Sequence, residues 1–141
     1  MPDKVFIDTN IFVYAYTSND EQKHGIVLEF FTKLKETDLS LCISSQVLNE
    51  LYAVETIKYK IEHFEAASHL KAMSKNFTVF GITNSTSLYA LSLKEKYNYS
   101  WWDSLVLASA LENNCQIVYS EDMQHGQIIE HSLKIVNPFL E

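Results

Sequence analysis

The sequence predicts an α/β fold, an α/β/α sandwich around a central, mostly parallel sheet of four to five strands. Three observations predict it. Short apolar segments alternate with longer amphipathic segments along the 141 residues, an alternation typical of parallel sheets covered by helices. The apolar segments lack a polar face, as expected for strands buried on both sides. Hydrophobic residues make up 47% of the chain, which is enough for a substantial core.

Each element follows from the period of its apolar residues. Short apolar runs bounded by polar residues indicate strands, and apolar side chains spaced three and four apart indicate helices. In chain order, the predicted elements are a strand at 4–8, a helix of one or two turns at 10–16, a helix at 21–35, a strand at 39–44, a helix from 45 to about 58, a helix at 61–75, a strand at 77–82, a helix from about 85 to 96, a helix beginning near 100, a strand at 115–120 and a weaker strand at 133–139.

Capping residues set several of the predicted helix starts. Ser44 or Ser45 is expected to cap the helix after the second strand. Asn84 or Ser85 is expected to cap the fifth helix, and Ser100 the sixth. In each case a side-chain oxygen can accept a hydrogen bond from a backbone N–H of the first turn, which would otherwise lack a partner.

The composition favours one domain spanning residues 1–141, located in the cytoplasm. No apolar run approaches the ~20 residues that a membrane-spanning helix needs. The stretch MPDKVFID lacks the pattern of a signal peptide. Cys42 and Cys115 lie in apolar, strand-like stretches and are expected to be buried thiols rather than a disulfide scaffold.

The composition limits the ways in which this chain could bind a phosphate group. The net charge is −7, and all 11 basic residues are lysines, so no guanidinium is available to clamp a phosphate. Three glycines in the whole chain exclude the Gly-rich phosphate loops of Walker and Rossmann sites. Phosphate recognition would therefore use lysine, backbone N–H groups or a metal ion. The candidate lysines are Lys58, Lys60, Lys94 and Lys96.

Four acids fall where the chain reaches the carboxyl edge of the predicted sheet. Asp8 ends the first strand, and Asp122 follows the fourth. Glu50 lies in the second turn of the helix after the second strand, and Asp103 lies in the first turn of the helix that Ser100 caps. Because helices that follow parallel strands begin at that edge, we expect the four carboxylates to meet there.

Each acid also has an ordinary structural interpretation. Asp8 and Asp103 could serve as helix caps or first-turn acids. Glu50 could be a solvated helix residue, and Asp122 could be a loop acid. Four carboxylates in a small volume repel one another, however, and their pKa values rise unless a cation compensates. Because Mg²⁺ and Mn²⁺ favour carboxylate and water ligands, the combination predicts a divalent metal site.

Three other features leave alternatives open. Glu121 could replace Asp122 as a ligand, but neighbouring side chains point in different directions and Asp122 is preferred. Trp101 and Trp102 could stack on nucleic-acid bases, although at least one is expected to pack in the core. His125 could protonate a leaving oxygen, but an isolated loop histidine more often has no catalytic role.

The segments around the four acids resemble the PIN-domain nucleases, and among them the small VapC-type toxins of bacterial toxin–antitoxin pairs. They are FIDTNI around Asp8, SSQVLNEL around Glu50, YSWWDSLVLASAL around Asp103 and IVYSEDMQHG around Asp122. The segments follow the order that the family has, and together they span nearly the whole chain.

The resemblance implies an endoribonuclease that uses Mg²⁺ or Mn²⁺ and a metal-activated water to cleave RNA, leaving 5′-phosphate and 3′-hydroxyl ends. It also implies a homodimer that a small antitoxin protein inhibits. The residues that it implies are Asp8, Glu50, Asp103 and Asp122 as the catalytic and metal-binding set, with Thr9, Asn10 and Ser120 orienting the carboxylates. Within the set, Asp8 and Asp103 are the strongest candidates for direct ligands.

Other functions remain open at this stage. An RNA-processing PIN nuclease that is not a toxin would show the same residues, and so would a non-catalytic module that binds metal or RNA. A phosphatase with an aspartyl nucleophile is disfavoured, because such sites usually carry D-x-D after the first strand and this chain has Asn10 at the second position. The RNA target and the antitoxin are not predicted.

Overall fold

The structure, a computed structural model, describes residues 3–17 and 19–140. In chain order its elements are β1 (Lys4–Ile7), α1 (Thr9–Tyr16), α2 (Glu21–Lys35), β2 (Ser40–Ser44), α3 (Ser45–Ala53), a π-helical segment (Val54–Lys58) called the π-turn below, α4 (His63–Asn76), β3 (Thr78–Phe80), α5 (Asn84–Tyr97), α6 (Trp101–Glu112), β4 (Ile117–Tyr119), β5 (Ile128–Ile129) and β6 (Leu133–Val136).

The strands of the described residues form one six-stranded sheet in the order β3-β2-β1-β4-β6-β5. All neighbouring pairs are parallel except β5 and β6, which are antiparallel. From β1, strands β2 and β3 are added in chain order toward one edge of the sheet, and β4 then pairs with the other side of β1. The strand order therefore reverses between β1 and β4, and open parallel sheets bind their ligands beside such a point.

The predicted α/β/α class is confirmed, and the sheet has one strand more than the four to five predicted. The additional strand is β5, which contains two residues. A two-residue strand is too short to show an alternation of apolar and polar residues in the sequence. It forms here because β6 offers an edge to pair with. The other predicted strands and helices are present, with ends shifted by a few residues.

Three predictions about helix starts and ends need correction. Ser44 occupies the N-cap position of α3, but its side chain makes no capping hydrogen bond. Thr83 caps α5 rather than Asn84 or Ser85: Thr83 Oγ1 accepts from Thr86 N at 3.3 Å, and Thr86 Oγ1 accepts from Thr83 N at 3.1 Å. This reciprocal arrangement satisfies two backbone donors, which a single capping side chain does not. The helix predicted to run to about residue 58 also changes to a π-turn over its last five residues.

The core surrounds β1, β2, β4 and helix α6. Residues 104–110 of α6 are all buried, and α5 packs along this helix. A helix buried on all sides is fixed in position, so the residue at its start, Asp103, is fixed as well. Cys42 and Cys115 are buried free thiols, as predicted. Among the described helices, none is long and apolar enough to cross a membrane.

Candidate active site

Asp8 lies at the end of β1, beside the point where the strand order reverses. Its backbone N–H donates to Tyr119 O at 3.0 Å, so the pairing of β1 with β4 extends to this residue. Its carboxylate accepts hydrogen bonds from Thr9 N at 2.7 Å and Ser120 Oγ at 2.9 Å, and Asp8 is only 4% exposed. Asp8 is therefore the N-cap of α1 and also a buried anion at the carboxyl edge of the sheet.

Two further acids reach the same place from other elements. Asp103 lies in the first turn of α6, where its N–H donates to the N-cap Ser100 Oγ at 3.1 Å. Asp122 follows β4, and its N–H donates to Ser120 Oγ at 3.2 Å. One carboxylate oxygen from each of Asp8, Asp103 and Asp122 lies within 4.8 Å of the other two, an arrangement that no other three acidic, His or Cys residues of the described chain share.

Glu50 faces the site from α3 but stands outside this group of three. Gln46, one turn earlier, donates from Nε2 to Glu50 Oε1 at 2.8 Å and to Trp102 O at 3.1 Å, which fixes the carboxylate relative to α6. Glu50 and Asp122 line the same cavity of about 430 Å³. The role of Gln46 was missed from sequence, although two residues four apart on a helix face are expected to meet.

Burial raises the pKa values of three of these carboxyl groups. The pKa of Asp8 rises to about 7, chiefly because the group is buried; hydrogen bonds from Ser120 and Thr9 lower it, and the charges of Asp103 and Glu50 raise it further. Burial and then the charge of Asp122 raise the pKa of Asp103. Burial also raises the pKa of Glu50, with further contributions from its acidic neighbours. The acids thus destabilise one another's charged forms.

Asn10 and Ser120 connect two of the acids through their side chains. Asn10 Nδ2 donates to Asp8 Oδ2 at 3.3 Å and to Asp122 Oδ2 at 3.1 Å. Ser120 Oγ donates to Asp8 and accepts from Asp122 N. Thr9 contacts Asp8 through its backbone, and its own Oγ1 is buried without a hydrogen-bond partner among the described residues. Neutral donors, rather than cations, hold the carboxylates together.

Glu121 points away from the acids. Tyr14 Oη donates to Glu121 Oε1 at 2.7 Å, and Lys23 forms an ion pair with the other carboxylate oxygen. This leaves Asp122, the residue that the sequence analysis preferred, as the member of the pair that contacts the cluster.

The aromatic and histidine candidates lie at the margin of the site. Trp101 packs against the core, whereas Trp102 is 59% exposed. His125 is exposed, and its Nδ1 accepts a hydrogen bond from Asn137 N at 2.9 Å. That bond occupies one ring nitrogen of His125 in a structural contact.

The donor set fits a hard divalent cation. Three carboxylates within ligand distance of one another, two of them with raised pKa values, are the oxygen donors that Mg²⁺ and Mn²⁺ prefer. No described Lys or His forms an ion pair with any of the three. A second cavity, of about 440 Å³, is lined by apolar residues such as Phe12, Leu28 and Phe77 and lacks such donors.

The family comparison agrees with this geometry. A family model described as the PIN domain matches residues 5–128. The chain belongs to the PIN domain family. The matched region contains Asp8, Glu50, Asp103 and Asp122, the acids that the fold brings to one edge. A comparison with curated proteins gives no match.

Several solved structures share the fold of this PIN domain. A toxin–antitoxin complex from Klebsiella pneumoniae superposes with a TM-score of 0.69 at 18% identity, covering 95% of this chain and 97% of the other. VapBC2 from Rickettsia felis, bound to a promoter DNA fragment, gives 0.64 at 21% identity, covering 95% and 99%. The sarcin–ricin loop cleaving toxin VapC20 from Mycobacterium tuberculosis gives 0.65 at 19% identity, covering 81% and 86%.

Proposed function

We propose that this PIN domain is a divalent-metal-dependent endoribonuclease and the toxin of a toxin–antitoxin pair. One observation carries the proposal: carboxylates from the end of β1, from α6 and from the segment after β4 meet within 4.8 Å, and no cationic side chain of the described residues pairs with them. Like charges held this close, one of them buried, destabilise one another, and a bound metal ion would offset that cost. Membership of the PIN family and the shared fold of the VapC structures support this function.

In this proposal Asp8, Asp103 and Asp122 hold the cation, and Mg²⁺ or Mn²⁺ suits their oxygen ligands. When bound, such an ion supplies a hydroxide nucleophile from water and stabilises charge on a phosphoryl oxygen. Ser120 and Asn10 keep the carboxylates of Asp8 and Asp122 oriented, because each donates a hydrogen bond to at least one of these two acids. Such orienting partners matter nearly as much as the ligands themselves.

Glu50 has a separate role in the proposed reaction. It lines the cavity beside Asp122, and Gln46 holds one of its carboxylate oxygens. Because burial raises its pKa, Glu50 is suited to accept the proton that the attacking water loses. The phosphodiester then breaks by in-line displacement of the 3′ oxygen, which leaves a 5′-phosphate and a 3′-hydroxyl.

The proposed partners are an antitoxin and a second copy of the chain. Several structures with the same fold are toxin–antitoxin complexes, and this chain exposes large apolar side chains, including Phe64 at 86% and Ile57 at 73%, of the kind that protein partners cover. The substrate is RNA, and ribosomal RNA is one candidate target because one structural neighbour is named for cleaving the sarcin–ricin loop.

Cleavage by purified protein tests the proposal. We expect the parent to cut total RNA in Mg²⁺ or Mn²⁺ and to be inactive in EDTA. Asp8→Asn and Asp103→Asn should each lower the cleavage rate by more than ~100-fold, the upper range for residues that only orient a ligand. Sequencing of the cut ends gives the position and chemistry of each cut.

The control is Asp38→Asn, which makes the same change in charge at an exposed position and should cleave like the parent. Induced expression in a bacterial host should slow growth with the parent and the control but not with Asp8→Asn. Full cleavage by Asp8→Asn would show that the site lies elsewhere. Cleavage without growth arrest would favour a processing nuclease over a toxin.

A further inference from the structure

The cavity beside the acids also contains a lysine. Three acids, Asp20, Glu50 and Asp122, line it together with Lys58 of the π-turn and the following residue, Tyr59. Among the described residues that line this cavity, Lys58 is the one with a positive side chain. The cavity therefore combines acids that could hold a metal with a single cation.

The π-turn brings Lys58 onto the face of the helix that carries Glu50. An α-helix turns about 100° per residue, so a residue four positions later lies about 40° past a full turn. The hydrogen bond from Tyr59 N to Val54 O, at 3.1 Å, closes a wider i to i+5 turn, which rotates less per residue. Val54 lies four residues after Glu50, and Lys58 lies four residues after Val54. Both therefore line the same cavity as Glu50.

Hydrogen bonds between Glu55 and His69 fix the π-turn in place. Glu55 lies within the π-turn and is 0% exposed, and its carboxylate accepts hydrogen bonds from His69 Nδ1 at 2.7 and 3.0 Å. The His69 ring in turn stacks on Tyr16, at a centroid separation of 4.2 Å. The π-turn is thus tied to both α4 and α1, and its exposed end is preorganised.

Lys58 itself is held by an aromatic ring rather than by an acid. Its Nζ lies over the Tyr59 ring, 5.4 Å from the centroid, a cation–π contact that restrains the side chain. Neither Glu50 nor Asp122 forms an ion pair with it. Two of the other lysines considered from sequence differ: Lys94 donates to a backbone oxygen and Lys96 pairs with a carboxylate.

We infer that Lys58 binds a phosphate of single-stranded RNA next to the scissile phosphate, and that Tyr59 is a positioning residue that holds the Lys58 ammonium over the cavity. The inference rests on the proposed function, because it assigns the substrate contact of the same site. It accounts for RNA binding by a chain that contains no arginine and carries a net charge of −7. One preorganised lysine supplies the attraction that the acids around the metal cannot.

Equilibrium binding tests the inference independently of cleavage. The probe is a fluorescent single-stranded RNA of mixed sequence, measured by anisotropy in EDTA over a series of salt concentrations. Lys58→Gln should bind about tenfold more weakly at low salt, and the slope of log K against log salt should fall by about 0.7, the value for one lost phosphate contact on a single strand. Lys58→Arg, which keeps the charge, should bind like the parent.

Three further variants separate the phosphate contact from the effect of net charge and test the aromatic ring beside Lys58. Lys71→Gln, at an exposed position on α4, makes the same charge change and should leave both affinity and slope unchanged. Tyr59→Leu should weaken binding by a few-fold, whereas Tyr59→Phe keeps the ring and should restore it. In cleavage assays Lys58→Gln should raise KM and leave kcat unchanged, because the contact acts equally in the ground and transition states.

The outcomes separate this inference from the proposed function. If the parent cleaves RNA and Lys58→Gln binds and cleaves like the parent, the phosphate contact is wrong and the nuclease proposal stands. If binding depends on Lys58 but no metal supports cleavage, the contact stands and the nuclease proposal fails. A parent that binds no RNA, or equal losses in Lys58→Gln and Lys71→Gln, overturns the inference.

Discussion

Asp8 and Glu55 are both buried carboxylates, but they have very different neighbours. Asp8, at 4% exposure, accepts hydrogen bonds from neutral donors and faces Asp103 and Glu50. Glu55, at 0% exposure, accepts two hydrogen bonds from His69. Burial raises the pKa of each, and at Glu55 the contact with His69 counteracts part of that rise.

The difference lies in the partners that the fold gives to the two carboxylates. The fold supplies a basic partner for Glu55, so the pair can hold the π-turn against α4 without outside help. Around Asp8 the described residues supply neutral donors and further acids but no basic partner, so its charged form is the one that a bound cation would stabilise. Three experiments test this contrast, and we give them from the largest expected effect to the smallest.

The largest effect concerns the pH dependence of stability without metal. The folded pKa of Asp8, about 7, exceeds its ordinary value of 3.8, so the folded state binds this proton more tightly than the unfolded state. The stabilisation that protonated Asp8 gives to the folded state is fully present below about pH 4 and is lost as pH rises through 7. The loss in the free energy of unfolding is at most about 4 kcal/mol. Urea denaturation in EDTA gives the free energy of unfolding of the parent and of Asp8→Asn. We expect the parent value minus the Asp8→Asn value to fall over that pH range.

Subtraction of the Asp8→Asn values removes the titration of groups that do not interact with Asp8. Adding Mg²⁺ or Mn²⁺ should abolish most of the fall in the parent, because the cation binds the charged form, and should change Asp8→Asn much less. A parent-minus-variant difference that stays constant from about pH 4 to about pH 8 would contradict the contrast with Glu55.

The second effect is the cost of removing the basic partner of Glu55. We expect His69→Ala to lower the free energy of unfolding by about 3 kcal/mol at neutral pH, because it leaves a buried carboxylate without its partner. Urea denaturation measures the loss. Adding Glu55→Gln to His69→Ala should recover part of it, since the second change removes the buried charge. No recovery in the double variant would mean that packing, not charge, explains the loss.

The smallest effect is that of the ring stacked on His69. Tyr16 lies parallel to the imidazole, with an angle of 16° between the planes, and Tyr16→Leu should cost about 1 kcal/mol in unfolding free energy. Tyr16→Phe keeps the ring and serves as the control. In the His69→Ala background Tyr16→Leu should cost much less, and equal costs in both backgrounds would show that the stack does not support the Glu55 pair.

Much of the fold and part of the site were predictable because they depend on local sequence. The period of apolar residues located most strands and helices, and the ends of those elements located Asp8 and Asp103 at one edge. Ser100 was recognised as the cap of α6 for the same reason. In a parallel sheet, the position of a residue along its own element is enough to assign it to an edge.

The remaining features needed the tertiary structure, because they depend on contacts between residues far apart in the chain. The strand β5 forms only against β6, and Glu121 turns away from the acids because Lys23 of α2 binds it. Glu55 has its partner only because α4 brings His69 to it. The sequence by itself determined which acids could meet, whereas only the packing of α1, α2 and α4 against the sheet decided which carboxylates acquired a basic partner among the described residues and which did not.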